Sequence, residues 1–243
     1  MKIIKLDAID STNSFLKNLS VNSTVQDFTI VMAKEQTSGK GQMNAKWVVD
    51  GGKNLTFSVF SCFDDLEISN QKYLSFGVSL AVFETLNELK LPKLAIKWPN
   101  DILSVNKKLA GILIENNLKG NKITSSVIGI GINVNQEIFS KDLPNATSIK
   151  KIVNKEFDLD ILLNEILIRL KSKLELLHKK DYAFLEKQYL SVLYKKNVPS
   201  MFKNNQNILF MGKIIGVSEN GKLQIELENE TIKEFGLKEV SFA

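Results

Sequence analysis

Hydrophobic residues recur along the chain at two spacings, one typical of helices and one typical of strands. Between residues 69 and 89 the apolar positions follow the helical period, and Tyr73, Phe76 and Leu80 fall on one face. Side-chain oxygens within residues 10–12 can cap a helix that follows them. The predicted helices are a short one after residues 10–12, a long amphipathic one over 69–89, and two more over 157–177 and 182–193.

Alternating or continuous apolar runs predict strands between these helices. Within residues 54–60, Leu55, Phe57 and Val59 lie on one face of a strand. Short turns such as Asn106-Lys107 separate the later strands, as in antiparallel pairs. The predicted strands cover residues 3–6, 28–33, 54–60, 94–98, 102–105, 109–115 and 122–130. The pattern therefore predicts an α+β fold with a mixed, mostly antiparallel sheet flanked by helices.

The pattern changes near Lys195. From Asn197 onward short strands alternate with turns, and Glu219-Asn220-Gly221-Lys222 is a strong hairpin signal. The remaining segment is too short for anything larger than a small β-barrel-like module. We therefore expect two domains, residues 1–195 and residues 196–243.

Composition and charge narrow the classes of function. The chain has 243 residues and a formal charge of +5, and of its 32 basic residues only Arg169 is an arginine. These basic residues are scattered, which is typical of a solvated surface rather than of a nucleic-acid site. Cys62 is the only cysteine, so neither an intramolecular disulfide nor a cysteine-based metal cluster can form within one chain. Without a signal peptide or a membrane-spanning run, we expect a cytoplasmic protein with no membrane partner and no specific nucleic-acid partner.

Two common nucleotide-binding motifs are missing from the sequence. It contains no G-x-x-x-x-G-K-[ST] run, and neither Gly39-Lys40-Gly41 nor Gly129-Ile130-Gly131 continues to a third glycine at dinucleotide-binding spacing. The only histidine, His178, is followed by Lys179-Lys180, as at a solvated helix end. We therefore expect no P-loop, no Rossmann-type site and no catalytic histidine.

Five short runs, in a fixed order, resemble the biotin-protein ligases. They are Ser11-Thr12-Asn13, Gln36 to Gln42 with Trp47, Lys97-Trp98-Pro99-Asn100-Asp101, Lys108-Leu109-Ala110-Gly111-Ile112-Leu113, and Gly129-Ile130-Gly131-Ile132-Asn133-Val134-Asn135. Each run alone is a weak match, but the ordered combination is specific. The resemblance implies a catalytic domain similar to class II aminoacyl-tRNA synthetases, followed by a small SH3-like β-barrel.

The resemblance also implies a reaction in two steps. Biotin and ATP, with Mg²⁺, form biotinyl-5′-AMP and pyrophosphate, and biotin then passes to a lysine of a biotin carboxyl carrier protein. Cations are needed where the biotin carboxylate approaches the anionic α-phosphate. The glycine-rich loop around Lys40 exposes backbone N–H groups that suit anionic oxygens, and lysine is a compact cation suited to the same task.

Functional residues of the family can be carried over onto the matching positions of this chain. The resemblance implies that Lys108 touches both the biotin carboxylate and the α-phosphate, that Lys97 supports the phosphates, and that Asp101 binds Mg²⁺ or orients or deprotonates the acceptor amine. The implied catalytic residues are Lys108, Asp101, Lys97 and Lys40. The implied biotin-binding residues are Ser11, Thr12, Asn13, Gln36, Gly39, Lys40, Gly41, Lys108, Gly111 and Gly129. The implied ATP-binding residues are Trp47, Lys97, Asn100, Ile132 and Asn133.

The glycine-rich loop departs from the family pattern, which carries several arginines. Here the corresponding positions include Lys40, Gln42 and Ala45. Because lysine cannot form the bidentate fork of arginine, we hypothesise that this loop holds the adenylate less firmly. Since the first motif begins at Ser11, we also expect a ligase without a preceding DNA-binding domain.

Two other interpretations stay open at this point. One is a lipoate ligase or octanoyl transferase of the same fold, although a transferase needs a nucleophilic cysteine and Cys62 lies in none of the motifs. The other is a non-catalytic module that binds biotin or a nucleotide without reaction. The sequence is compatible with a monomer or a homodimer.

Overall fold

The computed structural model describes residues 2–48 and 50–243, so residue 49 of the predicted loop lies outside the described residues. The described helices are α1 (Thr12–Asn22), α2 (Gln71–Glu88), α3 (Ile149–Val153), α4 (Leu159–His178) and α5 (Tyr182–Ser191). The described strands are β1 (Lys2–Ile9), β2 (Thr29–Gln36), β3 (Leu55–Glu67), β4 (Ala95–Lys97), β5 (Asp101–Ser104), β6 (Lys107–Lys119), β7 (Lys122–Ile132), β8 (Ser200–Asn204), β9 (Leu209–Val217), β10 (Leu223–Leu227), β11 (Ile232–Phe235) and β12 (Val240–Phe242).

The helices and strands predicted from the sequence are present, with shifted bounds. The largest shift is in β3, which continues to Glu67 because its last residues pair with β7 beyond an irregularity in register after Cys62. Helix α3 was not predicted, because its five residues are too few to show a helical period. It is nevertheless capped, since the Ser148 side chain accepts a hydrogen bond from the Lys151 backbone N–H.

The main sheet has seven strands in the order β1-β2-β3-β7-β6-β5-β4. Strands β1 and β2 pair in parallel, and the other neighbouring strands pair antiparallel. The predicted α+β fold with a mixed, mostly antiparallel sheet is therefore confirmed.

The two faces of the main sheet carry different helices, because successive strand residues point to opposite sides. Helix α1 covers one face, where its Leu16 packs with Val31 and Phe60 in a small cluster. The larger core lies on the other face, where Phe57 and Ile128 pack together with residues of α2 and α4. Because α1 is a single short helix, it leaves part of its face of the sheet uncovered, and a cleft can form there.

Helix α2 is buried around almost its whole circumference, so the prediction of an amphipathic helix is wrong here. Residues 76–83 are all buried. Helix α2 contacts both the sheet and helices α4 and α5, so these neighbours together cover the face that an amphipathic helix would expose to solvent.

The C-terminal segment forms a second, five-stranded antiparallel sheet in the order β11-β10-β9-β8-β12, where the sequence predicted a small β module. Its Phe202 and Ile225 belong to the same continuous core as residues of the main sheet. The indole of Trp98 donates a 3.1 Å hydrogen bond to the carbonyl of Gly221, which ties the hairpin between β9 and β10 to the turn before β5. The division into domains at residue 195 stays a prediction. Among the described residues, the helices are either too short or too polar to cross a membrane.

Candidate functional site

A cleft opens where the start of α1, strands β3, β6 and β7, and the glycine-rich loop meet. The predicted residues that line it are Ser11, Thr12, Asn13, Gln36, Lys40, Gly41, Trp47, Asn100, Lys108, Gly111 and Gly129. These positions come from five separate runs of sequence. The fold therefore brings together most of the residues that the motifs singled out.

The floor of the cleft is a network of buried polar side chains. Ser58 on β3 is fully buried, and its Oγ lies 2.6 Å from Asn13 Oδ1 and 2.8 Å from Thr12 Oγ1. Thr12 also donates its backbone N–H to Gln36 Oε1 over 2.8 Å. Because buried polar groups are stable only when they are hydrogen-bonded, these contacts hold the side chains in fixed orientations.

Two glycines on β7 allow other side chains to lie directly against the strand. Gly129 makes room for Asn13 in the floor, and Gly131 makes room for Trp47 of the glycine-rich loop, which covers the cleft. A Cβ on Gly129 would lie 2.2 Å from Asn13 Oδ1, and a Cβ on Gly131 would lie 2.3 Å from Trp47 Cε2. Both distances are far below van der Waals contact. A larger residue at either position would therefore displace Asn13 or Trp47.

Glu115 lies on β6 at the edge of this network. Its carboxylate accepts hydrogen bonds of 3.0 Å from Asn13 Nδ2 and 3.0 Å from Lys17 Nζ. Burial raises the pKa of Glu115, but these hydrogen bonds and the charges of Lys17 and Lys40 outweigh it and hold the pKa below the usual glutamate value. The carboxylate is therefore ionised at neutral pH.

The Trp47 side chain occupies the cleft. Its ring lies against Gly111 and Gly131, and its indole Nε1 is buried without a hydrogen-bond partner among the described residues. About 50 Å³ of the cleft remains open to a water molecule. Ligand pockets usually have volumes of roughly 300–1,000 Å³, so a ligand of biotin's size needs Trp47 to move.

The most direct charge pair of the site joins Lys108 and Asp101. Lys108 Nζ lies 2.6 Å from Asp101 Oδ1 and 5.7 Å from the Trp47 ring centre. The Lys108 backbone is held by Asn145 and Thr147, through bonds of 2.6 Å from its N–H and 2.9 Å to its carbonyl. The lysine is thus anchored by its backbone while its ammonium group stays partly exposed to the cleft.

The described side chains offer few ligands for a Mg²⁺ ion. Within residues 2–48 and 50–243, no group of three or more Asp, Glu, His or Cys side chains could hold a metal ion. Asp101 is a single carboxylate already neutralised by Lys108. These residues fit Mg²⁺ only as an ion that arrives bound to phosphates, which commonly supply most of its ligands.

Some predicted residues lie outside the cleft. Gly39 lines a neighbouring cavity beneath the loop, and Asp101 lines a groove toward the C-terminal sheet. Lys97 lines the same groove, with its ammonium 5.7 Å from the Phe242 ring centre. Ile132 is fully buried, and Asn133 is buried with its amide donating to the Thr147 carbonyl over 2.9 Å. In this conformation, therefore, the side chains of Lys97, Ile132 and Asn133 do not face the cleft.

Several residues of the cleft were not predicted, although one signal was available. Thr56 and Ser58 alternate with the apolar residues of β3 and are buried, and Thr56 lines the cleft. Polar residues on a buried strand face usually indicate a polar site on that side. Gly131 belongs to the last of the five runs, and Glu115 lies just after the fourth. Neither residue had been given a role.

Neither Cys62 nor His178 lines the cleft. Burial, together with the charges of Asp27 and Asp64, raises the pKa of the Cys62 thiol, which makes it a weaker nucleophile at neutral pH. The His178 ring packs against Phe63 at 5.6 Å between ring centres. The positions of these two residues give no support to covalent catalysis at either.

Comparison with known proteins places this geometry in a family. Residues 6–133 match the model of the "Biotin/lipoate A/B protein ligase family". The chain is 30% identical over 240 residues to the bifunctional ligase/repressor BirA of Bacillus subtilis, which covers 95% of this chain and 71% of that protein. It is 34% identical over 127 residues to the biotin–[acetyl-CoA-carboxylase] ligase of Paracoccus denitrificans, which covers 51% of each.

A solved structure shares the fold over the whole chain. The biotin protein ligase from Aquifex aeolicus, in complex with biotin and ATP, superposes with a TM-score of 0.80 at 29% identity. The superposition covers 100% of this chain and 98% of that one. The likeness therefore includes the C-terminal sheet as well as the sheet that carries the cleft.

Proposed function

The chain belongs to the biotin/lipoate A/B protein ligase family, and on that premise we propose that it is a biotin-protein ligase. It activates biotin with ATP to biotinyl-5′-AMP, releases pyrophosphate, and transfers biotin to a lysine of a biotin carboxyl carrier protein. ATP and biotin are its substrates. The observation that carries this proposal is the single cleft that joins a buried polar floor to the Lys108–Asp101 pair.

The polar floor suits the ureido ring of biotin. Ser11, Thr12 and Asn13 line the cleft and are almost fully buried, and each carries a side-chain oxygen atom. Gln36 is held by the Thr12 backbone N–H, so its amide has a fixed direction. We assign these four residues, with Gly39, Gly41, Gly111 and Gly129 for close approach, to biotin binding. A site of this kind favours a ligand with both N–H and C=O groups.

Lys108 and Lys40 supply positive charge for the first step. The biotin carboxylate must approach the anionic α-phosphate, and a preorganised cation lowers the repulsion between them. Lys108 is placed for this by its backbone bonds to Asn145 and Thr147. Asn133 holds the Thr147 carbonyl, so its part in the ATP site is to fix this segment. Asn100, which lines the cleft, and Lys97, which lies in the groove toward the C-terminal sheet, complete the assigned ATP side. Ile132 is fully buried, so it can contribute only through its backbone.

Asp101 is assigned to the second step. Its carboxylate is 2.6 Å from Lys108 and also borders the groove toward the C-terminal sheet. A carboxylate in that place can orient the acceptor amine or take its proton, provided the amine comes within hydrogen-bond reach. Trp47 covers the cleft and limits the access of water to the reactive mixed anhydride.

The other interpretations have less support. An octanoyl transferase needs a reactive thiol, whereas Cys62 has a raised pKa and lies outside the lining of the cleft. The Paracoccus denitrificans relative and the solved structure described above are named as biotin ligases. A non-catalytic module would have no need for a lysine paired at 2.6 Å with a carboxylate beside the cleft.

Labelling of a carrier domain tests the function directly. The protein is incubated with ATP, Mg²⁺, biotin and a biotin carboxyl carrier domain, and the mass of the carrier is measured. We expect covalent biotin on the carrier, and we expect Lys108→Ala to slow adenylate formation roughly 10²- to 10³-fold. Lys107→Ala is a matched control, because Lys107 is exposed and does not line the cleft.

The outcomes of the labelling experiment are distinct. Biotin binding without label on the carrier would favour the non-catalytic module. Labelling with lipoate or octanoate in preference to biotin would favour the other branch of the family. Equal loss of activity in Lys107→Ala and Lys108→Ala would contradict the assignment of Lys108.

A further inference from the structure

Glu115 ends a chain of polar side chains that runs beneath the cleft. Its carboxylate lies 3.0 Å from Asn13 Nδ2, and Asn13 Oδ1 lies 2.6 Å from Ser58 Oγ. Ser58 Oγ in turn lies 2.8 Å from Thr12 Oγ1, which lines the cleft. These hydrogen-bonded side chains therefore connect the Glu115 carboxylate, at the edge of the site, to the Thr12 hydroxyl, which can contact a ligand.

The Glu115 carboxylate sets the direction of each hydrogen bond in this row of side chains. An ionised carboxylate only accepts, so the NH₂ group of Asn13 must face Glu115 and the carbonyl of Asn13 must face Ser58. A carbonyl oxygen also only accepts, so Ser58 donates its one proton to Asn13. Thr12 therefore receives no proton from Ser58.

The hydroxyl proton of Thr12 has two acceptors within the protein. It can be donated to Ser58 Oγ at 2.8 Å or to Gln36 Oε1 at 3.1 Å. In either case no donor among the described residues occupies the lone pairs of Thr12 Oγ1, and Thr12 lines the cleft. Thr12 thus presents an acceptor to a ligand, which matches an N–H donor.

We propose that Glu115 is a positioning residue that keeps Thr12 a hydrogen-bond acceptor, and that it thereby selects ligands with N–H donors at the polar floor of the cleft. The inference rests on the proposed function, since the N–H groups would be those of the biotin ureido ring. Glu115 acts through Asn13 and Ser58 and does not itself touch the ligand.

Two further observations support this arrangement. Gly129 makes room for Asn13, because a Cβ at that position would lie 2.2 Å from Asn13 Oδ1. The pKa of Glu115 is lowered by Asn13, Lys17 and Lys40 against the opposing effect of burial, which keeps the carboxylate ionised and therefore acceptor-only. The glycine thus gives the Asn13 amide its place, and the ionised carboxylate fixes its orientation.

Replacing the carboxylate by an amide removes this constraint. In Glu115→Gln the new side chain can donate or accept, so the Asn13 amide can turn over and present its NH₂ group to Ser58. Ser58 would then donate to Thr12 and occupy one of the two lone pairs of its Oγ1, so the ligand would have only the other one to bind. We expect the Kd for biotin to rise about tenfold, with an unchanged KM for ATP.

A double-mutant cycle separates this role from a general structural one. Isothermal titration with biotin is performed on the full chain for the wild type, Glu115→Gln, Ser58→Ala and the double variant. Without the Ser58 hydroxyl there is no proton to redirect, so Glu115→Gln should change the Kd less than about twofold in the Ser58→Ala background. Lys119→Ala, which removes an exposed lysine at the end of the same strand as Glu115, should stay within about twofold of the wild type.

The results distinguish the two levels of the proposal. A wild type that does not bind biotin would refute the proposed function and this inference together. Normal biotin binding by both the wild type and Glu115→Gln would refute the role of Glu115 alone. An equal loss in both backgrounds would mean that Glu115 does not act through Ser58. Thermal melting verifies folding, and Glu115→Asp, which is still acceptor-only, should bind within about threefold of the wild type.

Discussion

The floor and the cover of the cleft are built in different ways. In the floor, Asn13 and Ser58 are almost fully buried and are joined to each other and to Thr12 by side-chain hydrogen bonds. In the cover, Lys40 and Lys46 are exposed, and a few backbone hydrogen bonds hold the loop. The floor is therefore a preformed surface, whereas the cover depends on few contacts.

This difference suggests a division of tasks. A preformed network discriminates between ligands, because a ligand that does not match leaves buried polar groups unpaired. A cover with few contacts can open for a ligand and close after it, and Trp47 must move before one enters. We therefore expect changes in the floor to alter binding of biotin, and changes in the cover to alter retention of the adenylate.

The largest effect is expected from Gly129→Ala in the floor. The new Cβ would lie 2.2 Å from Asn13 Oδ1, so Asn13 must leave its hydrogen bonds to Ser58 and Glu115. We expect the Kd for biotin, measured by calorimetry, to rise about 100-fold or more. Gly51→Ala is the control, because its Cβ would meet its nearest atom at 3.5 Å. Similar affinities for these two variants would mean that the floor is more adaptable than its contacts indicate.

The residues of the floor also show which parts of the site could be predicted from the sequence. Thr12, Asn13 and Gly129 stand in recognisable runs and were predicted as site residues. Glu115 was not, because its partner Asn13 is 102 positions away and no local pattern joins them. Lys97 shows a different limit of sequence-based prediction. The alternation of residues along a strand does not tell which side of the sheet a given residue faces. In the structure, the Lys97 side chain lies against Phe242 of the C-terminal sheet. Local patterns thus predict elements and motifs, but the partners of a polar side chain depend on the fold.

A second, smaller effect is expected from Trp47→Ala in the cover. The ring packs over Gly111 and Gly131, and its loss would open the site to water. Without an acceptor protein, the adenylate should leak faster, and steady pyrophosphate release should rise about tenfold. Trp98→Phe is the control, because Trp98 contacts Gly221 instead of the cleft. A large rise in the Kd for biotin with unchanged leakage would place Trp47 with the floor.

A smaller gain in retention is expected from Ala45→Arg. The Ala45 side chain is exposed on the loop, so an arginine there can reach the adenylate phosphate without repacking the core. If the lack of arginine weakens the loop, this change should slow pyrophosphate release without acceptor up to about fivefold. Ala45→Gln controls for side-chain length. Release in the wild type that stops after one turnover would show that the loop already retains the intermediate.

The smallest effect is expected from Lys238→Ala, which tests whether the C-terminal sheet takes part in the cover. Lys238 Nζ donates a 3.1 Å hydrogen bond to the Met43 carbonyl in the loop. This exposed contact is weak, so its loss should increase trypsin cleavage after Lys40 or Lys46 only about twofold. Lys233→Ala removes an exposed lysine of the same sheet and should leave cleavage unchanged. If Lys238→Ala also has no effect, the loop is held by Trp47 and its own backbone bonds, and the cover belongs to the main sheet alone.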